Sequence, residues 1–266
     1  MSAGVSRAWS GRVLVGLLLA GASAPLLRAE EGKFEQVGEA GEWDGTLVMA
    51  ALGGKLYSID KSGQLWRTTP KGESEKLGED DWSKARFLVA LDDALYAIAD
   101  AGALYRISAD GTYAQVGEDD WSGVVAIAGH EGHLWVATQQ GPLYKVDKEG
   151  QYAQVGEDDW SKTRSLFVLG KALHAVSSDG GLYKIAADGT WSRVGEDDWS
   201  ESRTCAVAGE TLWVTSAKGP LYKADASGKW SQVGEADWSK VRISVLCGDA
   251  LYMIDQAGTL WAVATK

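Results

Sequence analysis

The residues from Trp82 to Trp121 read WSKARFLVALDDALYAIADAGALYRISADGTYAQVGEDDW. Four short runs rich in β-branched and aromatic residues stand out: ARFLVAL, ALYAIA, ALYRIS and TYAQVGE. They are separated by Asp92-Asp93, by Asp100-Ala101-Gly102 and by Ala109-Asp110-Gly111. Short apolar runs broken by two or three turn residues are the signature of consecutive β-hairpins. No run here is long enough for a helix, which excludes ankyrin, leucine-rich and helical repeats.

Outward from this stretch the same pattern recurs. Trp43, Trp82, Trp121, Trp160, Trp199 and Trp238 are spaced 39 residues apart. Trp82, Trp121, Trp160 and Trp199 follow a VGEDD or LGEDD lead-in. Trp238 follows VGEAD, and Trp43 follows VGEAGE, which is one residue longer. A fixed period of this length marks a repeat architecture and outranks any local reading. The runs also differ in polarity. The first of each unit, such as RISVLCG from Arg242, is apolar on both faces; the second, such as TLWVTS from Thr211, is nearly so; the fourth, such as WSQVGE from Trp230, alternates. A strand buried on both faces lies deep and an alternating one lies near solvent. That gradient is expected of a propeller blade, whose first strand lines the axis and whose fourth forms the rim.

The count closes. First strands begin near Thr46, Ala85, Val124, Thr163, Ser202 and Val241, and the chain ends in GTLWAVATK, a third strand. The fourth strand of the last unit is expected to be KFEQVGE, Lys33–Glu39. The predicted fold is all-β: a six-bladed β-propeller with four antiparallel strands per blade, closed by the N-terminal strand pairing in the last blade. Closure of this kind leaves no open sheet edge.

Arg7 and Arg12 precede the apolar run VLVGLLLAGASAPLL (Val13 to Leu27), and small Ala29 borders the acidic start at Glu30. This predicts a signal peptide over residues 1–29 and a propeller over 30–266, hence a secreted or periplasmic protein. No later segment is apolar for long enough to cross a bilayer, so no membrane span is expected in the mature chain. A net charge of −11 argues against nucleic acid, whose phosphates need a basic footprint. Export permits a disulfide, but Cys205 and Cys247 fall at different depths of neighbouring blades and are expected to be buried thiols.

The last unit, WSQVGEADWSKVRISVLCGDALYMIDQAGTLWAV from Trp230, resembles the tectonin and tachylectin-2 group of propeller lectins. The shared features are a Trp, a Val-Gly step, an apolar strand ending in Gly, an aromatic strand, a short turn and a Gly-x-Leu-aromatic strand. The resemblance covers Lys33 to Lys266 and implies a propeller with lectin-like activity. Two features depart from it. The second strands read LYSID, LYAIA, LWVAT, LHAVS, LWVTS and LYMID and lack the family's Asn. An Asp-Asp-Trp also stands where tachylectin-like repeats carry Gly-Gly-Trp.

The candidate site is the loop that joins one blade to the next. It holds Glu79, Asp80 and Asp81 before Trp82, Glu118, Asp119 and Asp120 before Trp121, Glu157, Asp158 and Asp159 before Trp160, and Glu196, Asp197 and Asp198 before Trp199. Degenerate versions are Glu39 and Glu42 before Trp43, and Glu235 and Asp237 before Trp238. Four residues past the Trp an arginine recurs at Arg86, Arg164, Arg203 and Arg242, with Leu47 and Val125 in the other two units. As a ligand site, Trp would stack on a sugar ring, the carboxylates would accept from hydroxyls and Arg would donate. As a structural device, Trp would wedge between blades and Arg would pair with a carboxylate. Two further aromatic series, Tyr57, Tyr96, Trp135, His174, Trp213, Tyr252 and Trp66, Tyr105, Tyr144, Tyr183, Tyr222, Trp261, are expected to pack between blades.

His130 and His133 form the one H-x-x-H and lack further zinc ligands, and the acidic loops lack the DxDxDG calcium pattern. No cofactor or metal is expected. Polar residues that are nearly the same in every unit, with no GxSxG, HExxH or P-loop, argue against an enzyme. The expectation is therefore a non-catalytic, carbohydrate-binding module with repeated sites. A protein-interaction scaffold of the cell envelope with an exported partner is the alternative, and a propeller glycosidase ranks third.

Overall fold

The computed structural model describes residues 30–157 and 159–266. The expected signal segment, 1–29, and Asp158 of the third acidic loop lie outside the described residues. The described residues form 24 strands in six four-stranded antiparallel sheets, and no helix is among them. Blade 1 comprises Thr46–Leu52, Lys55–Asp60, Leu65–Thr68 and Ser74–Leu77, and blade 2 comprises Ala85–Leu91, Ala94–Ala99, Leu104–Ile107 and Tyr113–Gln115. Blades 3, 4 and 5 repeat this order, with first strands Val124–His130, Thr163–Leu169 and Ser202–Ala208. Blade 6 runs Val241–Cys247, Ala250–Asp255 and Leu260–Ala264, and its fourth strand is the N-terminal Phe34–Val37. Phe34 pairs with Val263 and Val37 with Leu260, which is the expected closure. The first strands of successive blades touch all the way round, blade 6 against blade 1 included, so the sheets form one ring.

Burial follows the polarity gradient. Second strands such as Ala94–Ala99 are almost wholly buried, and fourth strands are mostly exposed. Six separate apolar clusters each lie between two neighbouring blades, and each contains one of the six repeat tryptophans. The core is thus a ring of inter-blade interfaces rather than one central mass.

Every blade entrance is tied to the hairpin behind it. The amide of Trp82 donates to Gly63 O at 3.0 Å, Trp121 to Gly102 O at 3.0 Å, Trp160 to Gly141 O at 2.9 Å and Trp199 to Gly180 O at 3.1 Å. The bond recurs from Trp238 to Gly219 and from Trp43 to Gly258. It explains the glycine of the second-to-third hairpin: at Gly102, φ is +101°, and a Cβ would stand 2.6 Å from Ser122 N. Neither the dihedral nor the close approach admits a side chain.

His174 occupies the aromatic position of blade 4, buried and stacked on Phe167 with centroids 6.2 Å apart. Its Nδ1 lies 2.9 Å from Ala172 O, while Nε2 has no hydrogen-bond partner. Desolvation by burial therefore lowers its pKa, outweighing the bond to Ala172. A base whose folded pKa is depressed leaves the unfolded chain holding more protons below about pH 6.5, so stability falls as pH drops through that range. We expect His174→Phe to gain melting temperature over the parent at about pH 5 and much less at about pH 8. Equal differences at the two pH values would rule out the histidine as the source of acid sensitivity.

Candidate functional site

The blade-to-blade loops and the second-to-third hairpins share one face, as their mutual hydrogen bonds require. On that face the structure separates the three residue types that the repeat brings together in sequence.

The six tryptophans are only 2–6% exposed. Their indoles are wedges in the inter-blade clusters and offer no open face for stacking in this arrangement. Trp43 and Trp160 even leave their buried indole N–H groups without a protein partner.

The arginines sit at a β-bulge. In every blade the register between first and second strands slips at one residue, such as between Ala85 and Phe87 or between Val241 and Ile243. The skipped residues are Leu47, Arg86, Val125, Arg164, Arg203 and Arg242. An unpaired bulge residue is re-aimed out of the ladder. Here three of the arginines turn toward the next blade and donate to backbone carbonyls: Arg86 to Ser122 O (2.7 Å) and Val124 O (3.1 Å), Arg164 to Ser200 O (2.9 Å) and Ser202 O (2.7 Å), and Arg242 to Trp43 O (2.6 Å) and Thr46 O. The expected pairing with carboxylates is thus replaced, at these three, by staples to carbonyls. The stapled seams, 2/3, 4/5 and 6/1, are those whose first strands pack less closely; the other three seams are tighter. Arg203, at a tight seam, is exposed, as are the stapled Arg86 and Arg164. Near the axis, Arg86, Arg242, Ser165, Thr204, Cys205 and Ser244 line a cavity of about 240 Å³. Both cysteines are free, and burial pushes the Cys205 thiol up to about 12.

In blades 2, 4 and 5 the acid directly before the Trp reaches a group that the sequence reading missed: an aromatic ring on the fourth strand of the same blade. Asp81 accepts from the Tyr113 hydroxyl at 2.8 Å, Asp159 from Trp191 Nε1 at 2.9 Å and Asp198 from Trp230 Nε1 at 2.8 Å. Asp81, by hydrogen bond and charge, holds the Tyr113 pKa above its ordinary value, and the charge of Asp120 does the same to Tyr152. Asp237 instead accepts from the Ser239 amide, because its blade carries Phe34, which has no donor. These rings are 44–47% exposed and recur in five of the six blades: Tyr113, Tyr152, Trp191, Trp230 and Phe34. Each packs edge-on against its blade's inner aromatics, as Tyr113 does on Trp82 (4.7 Å) and Tyr105 (5.9 Å). The signal was available in sequence, because the position lies 31 residues after the Trp in blades 1–5, but it varies among Tyr, Trp and Ser there, and in blade 6 it is Phe34 of the N-terminal strand.

Beside these rings lie clefts. One, of about 310 Å³, is lined by Asp81, Trp82, Ser83, Lys84, Tyr105 and Tyr113. Its counterpart in blade 3, of about 270 Å³, is lined by Asp120, Trp121, Gln140, Tyr144 and Tyr152 among others. The carboxylates stay spread round the ring: among the described residues no three acids, histidines or cysteines converge as a metal site needs.

No protein-family model matches this chain, and no curated protein matches it in sequence. Solved structures do. Virginiamycin B lyase from Staphylococcus aureus superposes with a TM-score of 0.63 at 11% identity, covering 88% of this chain and 99% of that one. The WD40 domain of Neurospora crassa Pan2 gives 0.60 at 9% identity, with 90% and 98% covered. YCF48 bound to D1 peptide gives 0.59 at 13%, with 83% and 78% covered. The chain shares their propeller fold.

One expectation is corrected by this comparison. The near-identity of polar residues from blade to blade argued that the chain is not an enzyme. A lyase is built on a propeller similar to this one, so the fold is compatible with catalysis. The physical reason is visible here too. Identical backbones leave each blade free to differ at single side chains, as blade 1 does with Ser74 and Leu47.

Proposed function

We propose that this protein is an exported binding module that holds carbohydrate at repeated clefts on one face of the ring. The observation that carries this reading is the exposed aromatic ring of blades 2–5 set beside the acid before its repeat Trp, which in blades 2 and 3 borders a cleft floored by further aromatics. An exposed ring takes the apolar face of a pyranose. A carboxylate that already accepts one bond from that ring keeps lone pairs for sugar hydroxyls. Sites repeated on a rigid ring raise overall binding by about 10²–10⁴ through avidity without new contacts. The resemblance of the repeats to tectonins supports the same class. The apolar leader at residues 13–27 supports export.

A second reading, a protein partner, is favoured by the acidic loops. Their carboxylates ring one face of a chain with net charge −11, which suits a basic partner surface. One propeller similar to this chain was solved with a bound peptide.

A glycan array with immobilised sugars separates the two. We expect saturable binding to at least one glycan, and a loss of about tenfold or more when Tyr152 and Trp191 are both changed to alanine, since avidity multiplies the sites lost. An empty array, together with salt-sensitive capture of a basic exported protein, would favour the second reading.

A further inference from the structure

Blade 1 differs from the other five at one position. Where the fourth strands of blades 2–6 carry Tyr113, Tyr152, Trp191, Trp230 and Phe34, blade 1 carries Ser74. In those blades the ring packs edge-on against neighbouring aromatics, with centroids 4.7–5.2 Å from its nearest partner. The blade 1 counterpart of the clefts in blades 2 and 3 is a pocket of about 270 Å³ lined by Trp43, Trp66, Ser74, Glu42, Asp60 and Lys61 among others, with Ser74 standing where those blades carry a ring. Its walls are held in place. The Trp66 Nε1 donates to Asp60 Oδ2 at 2.8 Å, and Lys76 Nζ lies 5.3 Å from the Trp66 ring. Ser62 hydroxyl and amide donate to the other oxygen of Asp60 at 2.5 and 2.9 Å, and these bonds outweigh burial and keep its pKa low. Lys61 pairs with Asp44 at 3.5 Å.

Glu42 stands directly before Trp43, the position from which Asp81, Asp159 and Asp198 accept a bond from the ring in their own blades. The chain therefore displays what this pocket fits. In three blades it is filled by a phenol or indole whose donor faces the acid before the Trp, and in blade 1 that ring is missing while the acid and both inner tryptophans remain.

We propose that the blade 1 pocket is a docking site for the side chain of a tyrosine or tryptophan from a partner polypeptide, which takes the place of the absent ring and donates to Glu42. This site is the blade 1 counterpart of the clefts proposed for carbohydrate, set apart from them by the missing ring, and its occupant does not depend on that reading. A sugar ring is a poorer match, because the template is a flat ring contacted at its edge with a single donor toward the carboxylate. Phenylalanine brings no donor for the Glu42 carboxylate, whose Oε2 already accepts from the Glu39 amide at 3.1 Å and whose other oxygen is left for the incoming ring.

The test is calorimetric titration of the propeller with N-acetyl-tyrosinamide, N-acetyl-tryptophanamide and N-acetyl-phenylalaninamide, with methyl glycosides as a parallel arm. The tyrosine and tryptophan amides are expected to bind, with the phenylalanine amide about tenfold weaker. Glu42→Ala should bring the first two down to the level of the third. Ser74→Tyr supplies the ring in cis and should abolish binding of all three while raising the melting temperature. The proposal is overturned by no saturable response up to about 10 mM, by equal binding to the parent and Ser74→Tyr, by indifference to Glu42→Ala, or by glycosides that bind this pocket in place of the amides. None of these outcomes bears on glycan binding at blades 2–5, which the Tyr152 and Trp191 variants read separately.

Discussion

Replacing Trp160 by alanine is expected to lower the free energy of unfolding by about 3–5 kcal/mol, the loss typical of a large buried aromatic. The indole is 4% exposed and sits in the cluster between blades 3 and 4, with Ala128, Trp135, Leu143, Leu166 and Ile185. Alanine keeps both backbone bonds of the site, from Trp160 N to Gly141 O and from Thr163 N to Trp160 O. The loss therefore reports the side chain alone. Because the buried Nε1 has no hydrogen-bond partner, Trp160→Phe should cost distinctly less than Trp160→Ala. Denaturant melts of the three proteins check both statements. An unchanged midpoint for Trp160→Ala would mean that the ring is no wedge, and stacking on a ligand would return as its role.

Removing residues Glu30 to Glu39 is expected to be more damaging still. The deletion takes away the whole fourth strand of blade 6, with its four paired residues against the C-terminal strand. It also removes Val37, 6% exposed, and Phe34, which packs edge-on against Trp238 at 5.0 Å and Trp261 at 5.7 Å. Leu260–Ala264 would become an open edge of unpaired N–H and C=O groups, which templates pairing between chains. We expect the truncated chain to elute as oligomers or aggregates at concentrations where the full propeller is a single species. A synthetic Lys33–Glu39 peptide added during refolding should partly restore the original elution. Clean monomer with an unchanged melting temperature would show that the last blade is stable with three strands.

Most of the architecture is present in the spacing of residues. A hydrophobic period of two, interrupted by Asp-Gly and Ala-Gly turns, dictates hairpins wherever it occurs. A period of 39 dictates that each hairpin set meets a copy of itself. The closing strand was legible for the same reason: a unit that ends after three strands must find its fourth elsewhere, and Lys33–Glu39 had no unit of its own. These are local and counting constraints, which one dimension carries in full.

The roles of the site residues were not legible in this way. That Trp82 is a wedge while Tyr113 is exposed depends on which side of a sheet faces the neighbouring blade, and residue type alone leaves both options open. That Arg86, Arg164 and Arg242 reach carbonyls rather than carboxylates depends on a bulge, which turns one side chain across a seam. The bond from the Tyr113 hydroxyl to Asp81 spans 32 residues and exists only because the outer strand folds back beside its own blade's entrance. Spacing along the chain determined how many blades there are and how the ring closes. The apposition of sheets in three dimensions decided which aromatic is covered, which is open, and that the place beside Ser74 stands unfilled, because contact between distant segments is set by packing and not by order in the chain.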